Sequence, residues 1–163
     1  MNLFSIYKPN KKSSGHAMSL HISKDGDNAK GPALMLEMVK QSGFVNGRGT
    51  FKHPEGSKGV KTVVKLNETE SADIIYSLEK NKSFSAFHKF GETSKQVKIV
   101  PSGVDRKIQS KDGAVVESVR RVSLGVTDGG VAFYLFLEAG ESQLLIESLR
   151  FYLNHLFQSR NNA

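Results

Sequence analysis

Histidine, carboxylate and glycine are the residue types with which this chain could do chemistry, and their spacing decides against most of it. Five histidines stand at positions 16, 21, 53, 88 and 155. No two fall at metal-ligand spacing on a predicted helix, and on a shared strand His16 and His21 point to opposite faces. Cysteine is absent, which removes thiolate metal sites, disulfides and thiol nucleophiles together. The run Asp25-Gly26-Asp27-Asn28 begins like a calcium loop, but Ala29 and Leu36 occupy its fifth and twelfth positions, where oxygen ligands are required. It reads as a hairpin turn. Gly47-Arg48-Gly49 lacks the Lys-Ser/Thr of a phosphate-cradling loop. Glu68, Glu70 and Asp73 stand where a helix begins, so their negative charge serves the helix dipole rather than acid–base work. No nucleophile, base and orienting group assemble; the chain reads as a non-enzyme with no cofactor and no metal.

What remains is the chemistry of contact. The chain has 163 residues, with 23 Lys or Arg against 16 Asp or Glu, a net charge of +7 and a sequence pI near 9.6. Residues 1–111 hold 19 basic and 10 acidic side chains, whereas residues 112–163 hold 4 and 6. A segregated surplus creates a field that phosphates feel before any contact forms. Single strands need cations for their phosphates and rings for their unpaired bases, each stacked base contributing about 1–3 kcal/mol. Tyr7 and Phe87 are the outward rings, at equivalent places in two halves of the chain. Lys8, Lys11 and Lys12 cluster beside the first. His21 and Lys98, equivalent under the same repeat, share outward strand faces with Lys61, Lys65 and Lys89. The glycine-rich segment 43–59 adds Phe44, Arg48, Phe51 and Lys52 on a mobile connection, and a second loop, 101–114, adds Arg106 and Lys107. The expected ligand is single-stranded DNA bound with little sequence preference, in replication, recombination or transcription. RNA on the same scaffold is the second reading, and an oligomeric adaptor for acidic proteins the third.

These groups must be positioned by elements, and a repeat organises the elements. Lys65 to Lys80 lies without a gap over Phe136 to Phe151, with identities at Leu66/Leu137, Glu70/Glu141, Ser71/Ser142, Ile75/Ile146, Ser77/Ser148 and Leu78/Leu149. Phe4 to Lys8 lies over Phe84 to His88 in the same order. Two units, about 1–81 and 82–163, therefore form one domain. In the first, Met18, Leu20 and Ile22, then Leu34, Leu36 and Met38, then Val60, Thr62, Val64 and Leu66 alternate with outward neighbours, the period of half-buried antiparallel strands. The second offers strands at 84–90, 95–100, 115–126 and 131–138, the last pair joined by Thr127-Asp128-Gly129-Gly130. One helix closes each unit, starting near Thr69 or Ser71 and near Gly140 or Ser142. In the second helix Leu145, Leu149, Tyr152, Leu153 and Leu156 form one stripe, which Leu144, Ile146 and Phe157 widen. That width predicts an oligomer interface, in a homodimer or homotetramer. The fold class is α+β: two tandem ββββα units forming antiparallel sheets with helices packed between them.

This pattern resembles the Whirly fold, shared by plant Whirly proteins and the kinetoplastid guide-RNA-binding proteins; a single unit resembles the positive-cofactor-4 coactivators. The resemblance rests on the repeated strand-to-helix segments 65–80 and 136–151. It implies single-stranded nucleic-acid binding by outer sheet faces and loops, with helices holding subunits together. The plant proteins' Lys-Gly-Lys-Ala-Ala-Leu strand motif is absent, and Ala17-Met-Ser-Leu-His-Ile-Ser23 stands in its place, so individual contacts do not carry over. The longest apolar run, Val131 to Leu137, is far shorter than a membrane-spanning helix. With no leader visible, a cytoplasmic protein of bacterial or phage type, without a membrane partner, is the expectation.

Overall fold

The computed structural model describes residues 1–23, 32–113 and 115–161, with the side chains at 90, 103–109 and 115–120 excepted. The elements in chain order are β1 (Asn2–Lys8), β2 (His16–Ser23), β3 (Ala33–Lys40), β4 (Gly43–Val45), β5 (Arg48–Thr50), β6 (Lys61–Leu66) and α1 (Glu68–Lys80). There follow β7 (Phe84–Phe90), β8 (Thr93–Gln109), β9 (Val115–Asp128), β10 (Val131–Leu137) and α2 (Ala139–Asn161). One antiparallel sheet has the order β1-β2-β3-β6, and the second has the matching order β7-β8-β9-β10. The Asp25–Asn28 turn lies outside the described residues.

Alternation does what its period requires. Met18, Leu20, Ile22, Leu34, Leu36, Met38, Val64 and Leu66 from the first sheet are buried with Val97, Ile99, Leu124, Val126, Phe133, Leu135 and Leu137 from the second. The two inner faces and both helices share one core. At the β9–β10 turn Gly129 and Gly130 both take positive φ, 54° and 84°, the geometry in which a two-residue hairpin follows the strand twist.

Two expected loops are strands. Segment 43–59 contains the β4–β5 ribbon, turned by Asn46 (φ 50°) and Gly47 (φ 77°), an Asn-Gly pair suited to that turn. Segment 101–114 is largely continued pairing of β8 with β9, with register shifts after Ser102, Val104 and Ile108. Bulges let a ladder pass Pro101 and its neighbours without ending. Arg106 and Lys107 therefore sit on β8, and their side chains lie outside the described ones.

The repeated glutamates are caps. Asn67 Oδ1 accepts from Glu70 N at 2.8 Å while Glu70 Oε2 accepts from Asn67 N at 2.9 Å, a reciprocal capping box for α1. At α2, Glu141 Oε2 accepts from Glu138 N at 2.8 Å, and Lys8 Nζ donates to Glu141 Oε1 at 2.5 Å. The helices run antiparallel, joined by Arg160 on Glu68 at 2.7 Å and Arg150 on Glu79.

The expected oligomer stripe is corrected by burial. Leu145, Leu149, Tyr152 and Leu156 are buried within this chain, and Leu153 packs against the same core. Two sheets and α1 present more apolar surface than one sheet face would, and the broad stripe of α2 is consumed in covering it. Leu144, Phe151 and Phe157 are left exposed instead. Among the described residues no helix is long and apolar enough to cross a membrane.

A polar clasp joins the two sheets. Asp128 Oδ2 accepts from Thr62 Oγ1 at 2.8 Å and faces Lys95 Nζ at 3.0 Å, while Lys95 also donates to Val63 O at 3.0 Å. Burial alone would raise the Asp128 pKa; the hydrogen bonds from Thr62 and Lys95, with the Lys95 charge, reverse this and hold it below the ordinary value.

Leu149→Ala is expected to cost about 2–5 kcal/mol in urea denaturation, against a change within about 0.5 kcal/mol for exposed Leu144→Ala. Asp128→Ala should cost about 2 kcal/mol at neutral pH. Because the folded carboxyl has the lower pKa, its contribution is present above the ordinary Asp range and disappears as pH falls through the folded value. Stabilities of parent and Asp128→Ala chains, measured from neutral pH into acid, should therefore converge at the acid end.

Candidate nucleic-acid interface

Strand pairing alone determines which side chains share the outer face of the second sheet. Phe84, Ala86 and His88 turn inward on β7, so Ser85, Phe87 and Lys89 turn outward, and Phe87 is 74% exposed. Register places Phe87 opposite Gln96, Thr127 and Ala132, and places Ser85 opposite Lys98, Gly125 and Tyr134. Strands lie about 4.8 Å apart, so Phe87, Lys98 and Tyr134 mark one surface that crosses all four. Gln96 Nε2 donates to Ser85 Oγ at 2.9 Å and holds the amide against the sheet. Gly125 keeps the row low at its centre: a Cβ there would meet Phe133 O and Tyr134 Cβ.

Tyr134 and Phe136 belong to this face and were missed in the sequence, although the alternation of Phe133, Leu135 and Leu137 in the same strand points them outward. Tyr134 is 53% exposed, and it meets Phe136 edge to face at 6.3 Å between centroids. The Arg121 guanidinium stands 5.3 Å from the Phe136 ring centre. The equivalence of His21 with Lys98 also needs correction. Phe4 pairs with Leu20 and Phe84 with Ile99, so the register equivalents are Ser19 with Lys98 and His21 with Val100. Both His21 and Lys98 still point outward, two residues out of step.

The first sheet carries its contacts at one end. Tyr7, 62% exposed on edge strand β1, packs at 5.6 Å against Phe51. Buried Gln41 holds the basic β1–β2 loop and the β4 ribbon together: its Oε1 accepts from Asn10 N at 2.9 Å and Gly15 N at 3.2 Å, and its Nε2 donates to Asn10 O at 3.0 Å and Gly43 O at 2.7 Å. Gly49 lies so close to Pro9 that a Cβ would collide with it. Lys11, Lys12, Arg48 and Lys52 are exposed on these joined segments, and Phe44 is half-buried.

Not every expected cation is available. Lys8 is taken by Glu141, and Lys61 pairs with Glu37 at 2.6 Å on the outer face. Lys65 is exposed and His21 half-buried on that face, with Met35 between them. Between the two sheets' contact regions lies a cleft of about 370 Å³, walled by the loop residues Asn10, Ser14 and Gly15 and by Tyr134, Phe136 and Glu138. His16 forms its inner wall, 5.3 Å from Tyr134. Burial first, and the Lys40 charge second, lower the His16 pKa. Among the described residues no group of three or more histidines and carboxylates is placed to hold a metal ion.

Two matching four-stranded sheets, each followed by a helix, define a Whirly-like fold, and comparison with solved structures agrees. WHY3 from Arabidopsis thaliana superposes with a TM-score of 0.60 at 21% identity over 99% of this chain and 92% of its own. The plant transcriptional regulator PBF-2 gives 0.59 at 19% over 99% and 85%. MRP1/MRP2 of Trypanosoma brucei gives 0.59 at 14% over 93% and 83%. No protein-family model matches the sequence, and no curated protein matches it.

Gln41→Ala should release the loop while leaving the sheets intact. Amide exchange at Asn10 and Gly15 is expected to quicken by about tenfold, one lost hydrogen bond each, with Leu20 and Leu36 unchanged. Unaltered exchange at Asn10 would show that the loop is held by other means.

Proposed function

We propose that this chain binds single-stranded DNA through its outer sheet faces and basic loop, as a non-enzymatic protein of replication, recombination or transcription. The observation that carries the reading is the patch of Phe87, Lys98 and Tyr134, rings and a cation on one sheet face, with Gly125 low between Lys98 and Tyr134. Phosphates following Lys98, Lys89 and the loop cations release counterions, and bases stack on Phe87, Tyr134 and Tyr7. The likeness to a plant transcriptional regulator supports the transcription branch. RNA is the second reading, favoured by the Whirly-type resemblance that extends to guide-RNA-binding proteins; matched DNA and RNA competitors discriminate.

The proposal includes self-association. Leu144 (58% exposed) and Phe151 (50% exposed) stand seven residues apart on one outer stripe of α2, where Phe151 stacks on His155 at 6.2 Å. A second copy would cover this stripe in place of the buried one.

Titration of labelled single-stranded and duplex oligonucleotides at several salt concentrations tests the main reading. Affinity for the single strand should fall steeply with salt, with Lys98→Ala reducing the slope of log K against log salt by about 0.7. Phe87→Ala should weaken binding by about 1–3 kcal/mol and leave that slope alone. Binding that ignores salt, or that favours duplex, contradicts the proposal. Light scattering of the parent and Phe151→Lys chains tests the association: the parent should exceed monomer mass and the variant should lose mass.

A further inference from the structure

The cleft beside β10 has features that a sequence-neutral surface does not need. The Phe136 ring carries the Arg121 guanidinium over one face and has Tyr134 edge-on beside it, which leaves its other face for a base. At the cleft mouth stands Glu138, whose backbone N–H caps α2 through Glu141. The Glu138 carboxylate is exposed and has no hydrogen-bond or ion-pair partner among the described residues. A carboxylate is a poor neighbour for a phosphate strand, so its place in a cleft that it shares with Tyr134, Phe136 and Arg121 calls for a ligand of its own. Glu138 follows Phe136 by two residues and lies just past the end of β10, about 7 Å on for extended backbone, a span that one base can bridge between a stacking ring and a carboxylate at its edge.

We infer that the cleft seats one unpaired guanine, stacked on the Phe136 ring and read at its Watson–Crick edge by Glu138. A carboxylate presents two adjacent acceptors and no donor. Guanine is the base whose Watson–Crick edge presents two adjacent donors, N1–H and the N2 amino group. Adenine and cytosine each set a ring-nitrogen acceptor beside their amino group, and thymine flanks N3–H with two carbonyls, so each of these places an acceptor against the carboxylate. The cleft volume of about 370 Å³ lies in the range of small-molecule sites and exceeds the needs of one base. Of the cations lining the cleft, Lys8 is paired with Glu141 and Arg121 stands over the Phe136 ring. This inference rests on the single-strand reading above and adds to it one position of base preference.

The test is competition between oligothymidylates that carry one central guanine, inosine, adenine or cytosine, with plain oligothymidylate as the reference. The guanine strand should bind about tenfold more tightly than the reference, as a two-bond base contact provides. Inosine, which lacks the N2 amino group, should fall between them. Glu138→Gln should remove the difference between guanine and thymine strands, and a thermal melt checks that the variant is folded. Equal affinity of the parent for all five strands overturns the guanine seat and leaves the single-strand reading standing. A guanine preference that survives in folded Glu138→Gln overturns the role of Glu138. If no strand binds, the single-strand reading fails and the guanine seat with it.

Discussion

Burial of one broad helix stripe between two sheets is the constraint on which the rest depends. Leu145, Leu149, Tyr152 and Leu156 pack into a core that includes Leu20 and Leu36 from the first sheet and Leu124 and Phe133 from the second. Because both inner faces are committed to this core, the alternation of each strand sends its remaining side chains to the outside. The outer patch of Phe87, Lys98 and Tyr134 is therefore set by what lies beneath it: Ala86, Val97, Ile99, Phe133 and Leu135 turn in, so their neighbours turn out.

Charge is divided between holding the body and facing solvent. Of the basic side chains, Lys8, Lys61, Lys95, Arg150 and Arg160 are bound to carboxylates, several of them across elements distant in the sequence. Lys8 and Glu141 tie the end of β1 to the start of α2, and Arg160 with Glu68 ties the far ends of the helices. The outward cations include Lys11, Lys12, Arg48, Lys52, Lys65, Lys89 and Lys98, on or beside the loop, the ribbon and the sheet faces. The net charge thus understates how unevenly the usable positive charge is placed.

Much of this was legible in the sequence, and the failures have physical causes. The offset that aligns Glu70 with Glu141 also aligns the two helix starts, because both glutamates perform the same capping task. Strand faces followed from period two wherever one face is buried, which is why Tyr7 and Phe87 were found. Tyr134 and Phe136 were obscured because their strand is apolar at almost every position, so alternation there is a matter of geometry and not of polarity. The α2 stripe was visible, but the number of layers it must cover is a tertiary property. Ion pairs such as Lys8–Glu141 are equally silent, since the partners are far apart in the chain. The cleft, made where a loop of one sheet meets the edge of the other, has no local signature at all.

The clasp at Asp128 has a mechanical consequence. Strand β10 is an edge strand, bonded on one side only to β9, and an edge strand pulled outward would ordinarily peel from one end. Here one end is anchored at the β9–β10 turn by Asp128 to Thr62 and Lys95, and the other by Glu138, Glu141 and Lys8 at the start of α2. A load applied at Tyr134, midway between the anchors, is carried by both at once and passes into the first sheet and the long helix. Tension in a filament held on this face would therefore strain the whole body in concert, and the strand it grips would be among the last parts to come away.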